Sequence, residues 1–209
     1  FSMMLLPNDH TVGTRAGWPT PRAAVADNDL ALGRIIEGLT KSRFWPEMVI
    51  IVAQDDSQLG LDHVDGHRSV LFVISPYSKP NTTVSSFYNH ATIAATIGRI
   101  LGFPPMTRFD ATAKPMVEAF GDKPDLTPYR VLANNIPLDE LNPSPKALTG
   151  EQKLLAEECG RMNWEELDTQ NKVLVNKAVW MAEAPRSVGR KGFSTRFPSA
   201  KSSAGEEED

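Results

Sequence analysis

Only one of the 209 residues is a cysteine, Cys159, so an internal disulfide and a cysteine-rich zinc module are both excluded. It falls on a predicted helix with no reactive neighbours and reads as a packed or partly exposed small residue; one cysteine says little about the compartment. Long apolar runs are also missing. The longest, Met48 to Ala53 and Val70 to Ser75, are strand-length and far short of the ~20 residues a membrane-spanning helix needs. A basic excess is absent too: 22 Lys and Arg face 26 Asp and Glu, for a net charge of −4 and a pI of about 5.6. Neither nucleic acid nor an anionic membrane is therefore an expected partner. No G-x-S-x-G elbow is present, which discounts a serine-protease-like relay built on Asp9, His10 and Thr11.

What is present suffices for one sizeable core with appendages, since 41% of the residues are hydrophobic. The chain opens on Phe1 and runs at once into an apolar segment. A start methionine or signal peptide would be usual there, so a C-terminal piece of a longer protein is expected, and nothing about export follows.

Met3 to Leu6 reads as a short buried strand closed by Pro7 and Asn8, and residues 11 to 21 as a loop rich in Gly, Thr and Pro. Asp27 or Asn28 can cap a helix whose inner face carries Val25, Leu32, Ile36 and Leu39, ending before Ser42. Met48 to Ala53 and Val70 to Ile74 are continuously apolar and β-branched, the signature of strands buried on both faces of a parallel sheet. A second helix is predicted from Asn89 to Leu101, with Ile93, Ile97, Ile100 and Leu101 inward, stopped by Gly102 and Pro104-Pro105. The order indicates an α/β layered fold. Four regions are expected: an α/β core over residues 1–116, an extended covering segment over 117–148, helices over 149–185, and a disordered tail over 186–209 that is rich in Ser, Gly and charge. The helical region divides into amphipathic stretches from Thr149 to Met162 and from Trp164 to Ala184.

Chemistry-bearing residues gather at the expected strand ends, where open α/β sheets place their sites. Asn8-Asp9-His10 follows the first strand, Asp55-Asp56 follows the second, and Asp62-His63, Asp65 and His67 precede the third. Three of the four histidines fall in these clusters. Carboxylate oxygens and imidazole nitrogens suit a hard or borderline divalent cation. Adjacent aspartates repel each other unless a cation or a cap intervenes, and D-H-x-D-x-H places His63, Asp65 and His67 on one side of an extended segment. Each cluster alone has a plainer explanation, as a turn, a cap or a solvated loop; three together are harder to explain that way. Arg68 can hold a phosphate oxygen or pair with Asp65 or Asp62. His90, at a helix start, reads as structural or surface.

Four stretches, LPNDHT, PTPRAAVADNDLALGRIIEGL, QDDSQLGLDHVDGHRSVLFVISPY and ILGFPPMTRFDATAKPM, together resemble the C-terminal half of the bacterial phosphoesterase family. This is the phospholipase C and acid-phosphatase-like branch of the alkaline phosphatase superfamily, and the similarity extends to members fused to an N-terminal β-propeller of YVTN-type repeats. It covers roughly residues 1 to 185. It implies part of an alkaline-phosphatase-like three-layer sandwich with a mostly parallel central sheet, followed by C-terminal helices. The implied activity is metal-dependent hydrolysis of phosphoric esters, with zinc as the first expectation and manganese or calcium as alternatives. Asp55 and Asp56 match the strand-end metal position, His67 the late histidine ligand, and the Asp9-His10 turn the earlier one, with either residue as ligand. His63 and Asp65 are motif residues that bind the metal or support those that do, and Asn8 and Arg68 stand beside the ligands or the phosphate. The implied partners are a phosphoester substrate and the protein's own N-terminal half, which in this resemblance carries the Ser or Thr nucleophile before Phe1. A periodic departure is Gln54, where the family commonly has Glu. A periplasmic or secreted parent is expected. Two alternatives stand beside this one: a truncated or degenerate phosphoesterase module with a structural or binding role, and a sulfatase or phosphonate hydrolase on the same fold.

Overall fold

A computed structural model describes residues 1–7, 11–55, 69–166 and 169–183. The first helix, α1 (Pro21–Thr40), starts at a Thr-Pro pair. The Thr20 hydroxyl accepts from the Ala23 amide at 3.2 Å, and Pro21 fits the first turn because its missing N–H would have no helical partner there. The predicted cap at Asp27 or Asn28 is thus replaced by an earlier one. Ile36 is buried on the inner face, whereas Val25 is 69% exposed and does not belong to it.

Two strands follow, β1 (Ile50–Ala53) and β2 (Leu71–Ile74). They pair antiparallel, Ile50 opposite Ile74 and Ala53 opposite Leu71, and the ladder continues with the Gln54 amide donating to the Val70 carbonyl at 3.1 Å. The sequence expectation of parallel strands buried on both faces is corrected here. Apolar β-branched runs report strand propensity but not direction, and direction follows from where the chain returns: Ser69 re-enters beside Gln54. Among the described residues the sheet has two strands, and both faces are only partly covered, with Phe72 53% exposed. Met3 to Leu6 is not a strand. Residues 1–7 carry no regular structure, and Met3 is 90% exposed, because no described strand or helix lies against this run.

Helix α2 (His90–Leu101) is bounded as its sequence signals suggest. Asn89 and Thr92 form a reciprocal capping box, and Gly102 closes the C-terminus. Its buried side, however, carries Thr92, Thr96 and Gly98, while Ile100 and Leu101 are half exposed. The Thr96 hydroxyl donates to the Thr92 carbonyl at 2.7 Å and accepts from the amide of the fully buried Met116 at 3.0 Å. That second bond explains why a polar side chain faces inward: it supplies the partner a buried amide needs. The short helix α3 (Arg108–Thr112) packs against α2.

From Gly121 onward an irregular stretch runs across these elements. Its amides at Gly121 and Asp125 donate to the carbonyls of Tyr77 and Pro76, each at 2.8 Å. Tyr129 donates its amide to the Thr40 hydroxyl at 3.1 Å and sets its ring edge-on to the buried Trp45, with centroids 6.2 Å apart. Val131 covers Gly33 so closely that a Cβ there would lie 3.0 Å from Val131 Cγ2. Glu140 then reaches Thr20 and Arg22, and Asn142 is buried with its Nδ2 within 3.2 Å of the Gly13, Arg15 and Pro19 carbonyls.

Helices α4 (Gly150–Arg161) and α5 (Lys172–Glu183) pack together through Leu155, Cys159 and Ala178, flanked by Trp164, Leu174 and Met181. Gly13 leans on this pair at φ +59°, with an added Cβ placed 3.0 Å from Cys159 Sγ. No described helix is long and apolar enough to cross a membrane.

Candidate functional site

The exit of β1 is where the sequence places its densest chemistry, and the described backbone there is tied down from three directions. The Gln54 amide is held in the ladder, and its carbonyl accepts from the Ser69 hydroxyl at 3.0 Å. The same carbonyl lies 3.3 Å from His90 Nε2, which must carry the ring proton in order to donate to it. The next residue, Asp55, is exposed at the strand end. One carbonyl therefore joins the end of β1, the approach to β2 and the first residue of α2.

His90 owes its position to the capping box. The Asn89 side chain accepts from the Thr92 amide at 3.1 Å, which starts the helix at His90 and aims that residue back toward the sheet. Its importance as a neighbour of the strand exit is not visible in sequence spacing, since 36 residues separate it from Gln54. The local signal was the capping pattern, which located the helix start but not what it faces.

Beside His90, α2 and α3 border a cleft open to solvent, lined by Asn89, Ala91, Ala94, Met106, Thr107, Phe109 and Asp110. The T-x-x-D pattern from Thr107 to Asp110 builds its far wall. Asp110 accepts from the Met106 and Thr107 amides at 2.8 and 2.7 Å and from the Thr107 hydroxyl. The Thr107 hydroxyl, followed by the Met106 amide, holds the Asp110 carboxyl below the usual aspartate range, so it stays a carboxylate.

Of the nine sequence-selected residues, Asp55 is described and sits at the β1 exit. Asn8, Asp9, His10, Asp56, His63, Asp65, His67 and Arg68 lie outside the described residues. Among the described residues no group of three or more His, Cys, Asp or Glu side chains is arranged to hold a metal. The donor chemistry of the full set, aspartate oxygen and imidazole nitrogen beginning at an exposed Asp55, nonetheless suits a divalent cation.

Residues 19–104 match the model of the Phosphoesterase family. The phosphoesterase match runs from just before α1 to just past α2, taking in the hairpin, the whole Gln54–Arg68 stretch and His90. It points to hydrolysis of phosphoric esters. Asn8, Asp9 and His10 precede it. No curated protein and no solved structure matches the chain.

Proposed function

We propose that the chain is part of a metal-dependent phosphoric ester hydrolase whose site is built around the β1 exit. The observation that carries this reading is that the phosphoesterase match spans the Asp- and His-rich stretch from Asp55 to Arg68, which begins at a strand end fixed by Ser69 and His90. Asp55, Asp56, His63 and His67, with Asp9 or His10, are the residues that would hold the metal. Zinc is the first expectation from the mixed carboxylate and imidazole set, with manganese and calcium as alternatives. When bound, a divalent ion supplies Lewis-acid stabilisation of phosphoryl oxygens and makes a hydroxyl nucleophile available at neutral pH.

The chain's own contributions are positional and electrostatic. Strand end and helix start fix the Gln54 carbonyl next to Asp55, and Arg68 is the cationic partner for a phosphate oxygen. Asn8 and Asp65 orient neighbouring ligands. The family resemblance implies a Ser or Thr nucleophile, and none of the residues assigned here is given that role.

The test is turnover of 4-nitrophenyl phosphate by the full-length protein carrying Asp55→Ala or His67→Ala. Roughly 100-fold or greater loss is expected for each; wild-type turnover in both overturns the assignment. Gln54, where the family commonly has Glu, favours a second reading: a degenerate module that binds without hydrolysing. Titration with zinc and manganese separates the two, because a tight stoichiometric site belongs to a working centre and its absence to a scaffold.

A further inference from the structure

We infer that residues 11–19 form a lid over Cys159, that Asn142 is the latch holding it shut, and that the chain's one thiol reacts only when this latch opens. Gly13 and Thr14 make the cover. A Cβ on Gly13 would lie 3.0 Å from Cys159 Sγ and 3.4 Å from Val175 Cγ1, and the Thr14 hydroxyl donates to the same sulfur at 3.6 Å. Cys159 is fully buried beneath them.

How the lid is held decides how it opens. Between positions 11 and 19 Gly13 alone is buried, and Gly17, Trp18 and Pro19 are exposed. Burial of apolar side chains therefore contributes little to keeping the lid down. Hydrogen bonds contribute more, and they converge on one residue. The Asn142 side-chain amide donates to the Gly13, Arg15 and Pro19 carbonyls at 3.1, 3.1 and 3.2 Å. Its backbone N–H donates to the Trp18 carbonyl at 2.8 Å, and its carbonyl accepts from the Gly17 amide at 3.1 Å. Asn142 is itself buried, so its departure strips several lid carbonyls of their partner at once and closure is all-or-none. The far end of the lid has a separate anchor. Thr20 caps α1, and its amide and hydroxyl donate to the Glu140 carbonyl and carboxylate at 2.9 and 2.8 Å. Asn142 takes no part in those bonds, so Thr20 is the hinge on which the lid lifts. Segments with few buried apolar contacts open at free energies below that of global unfolding. Lifting takes Gly13 and Thr14 off the sulfur and leaves α4 and α5 packed through Leu155 and Ala178.

The experiment combines iodoacetamide labelling of Cys159 with amide hydrogen exchange, on the full chain and its Asn142→Ala variant. In the parent protein, labelling and exchange at the Gly17 and Asn142 amides should report one opening equilibrium. The Val175 amide, bonded to the Asn171 carbonyl at 3.0 Å within the helix pair, should exchange far more slowly. In Asn142→Ala, labelling and Gly17 exchange should rise together, roughly tenfold, with the Thr20 and Val175 amides unchanged. Labelling at the parental rate in the variant overturns the inference. So does labelling that accelerates in step with Val175, because the thiol is then reached by separation of α4 from α5. Should the variant fail to fold, the parent protein decides alone: a labelling rate that departs from the Gly17 opening equilibrium overturns the lid.

Discussion

His90 donates its Nε2 proton to the Gln54 carbonyl oxygen across 3.3 Å, and through that one bond the start of α2 braces the end of β1. The bond is solvent-exposed and shares its acceptor with the Ser69 hydroxyl, so its net contribution belongs at the low end for hydrogen bonds, about 0.5 kcal/mol. His90→Ala should therefore leave global stability nearly unchanged. Its effect should be local: faster amide hydrogen exchange at Gln54, whose N–H closes the ladder onto Val70, with little change at the centre of β1. Unaltered Gln54 exchange would show that the brace contributes nothing.

A second expectation concerns acid. Asp110 is held below the ordinary aspartate range by the Thr107 hydroxyl and then the Met106 amide. A depressed carboxyl stabilises the fold above its unfolded pKa of about 3.9 and loses that contribution as pH falls through its lower folded value. The α3 start and the wall of the cleft should loosen only below about pH 4, with no change between neutrality and that point. Asp110→Asn should remove this acid-dependent component while weakening the cap at all pH values. Carbon-detected titration of the Asp110 carboxyl, with thermal unfolding of both proteins across the same range, checks it.

The third prediction uses Gly13. Its φ of +59° lies in the left-handed region, where a Cβ costs about 1–2 kcal/mol. An added Cβ would also sit 3.0 Å from Cys159 Sγ, in a contact that rigid packing resists. Gly13→Ala should destabilise by about 2–4 kcal/mol in denaturant unfolding. Cys159 is fully buried, so its reaction with a thiol reagent should be slow in the parent protein and markedly faster in the variant. Equal rates would mean the loop does not seal the thiol.

These residues also show which parts of the structure could be read in advance. The limits of α2 were legible because Asn89 and Gly102 are local signals that act within one turn. Thr20-Pro21 is an equally good start signal for α1, but the later Asp27 and Asn28 compete with it in sequence, and only the contact with Glu140 shows which residue caps. The two apolar runs located β1 and β2 to within two residues, yet side-chain type carries no information on strand direction. Met3 to Leu6 has the composition of a strand without a described neighbour to pair with. At the β1 exit, the placement of Asp55 just past a strand was legible because it closely follows the apolar run that ends at Ala53. The roles of Ser69 and His90 were not, because each acts through the backbone oxygen of Gln54 rather than through a motif of its own.

The stretch from Gly121 to Asn142 has a consequence in time as well as in space. Thr20 caps α1 while leaning on Glu140, and Asn142 gathers three carbonyls of the 13–19 loop, across sequence separations of 120 to 129 residues. Contacts so distant along the chain are slow to find one another, because a large loop must close before any of them forms. A growing chain emerging from the ribosome can wind α1 and zip the hairpin early, but it cannot lock the loop before α1 until Asn142 has been made. The loop before α1 is thus finished by residues translated long after it.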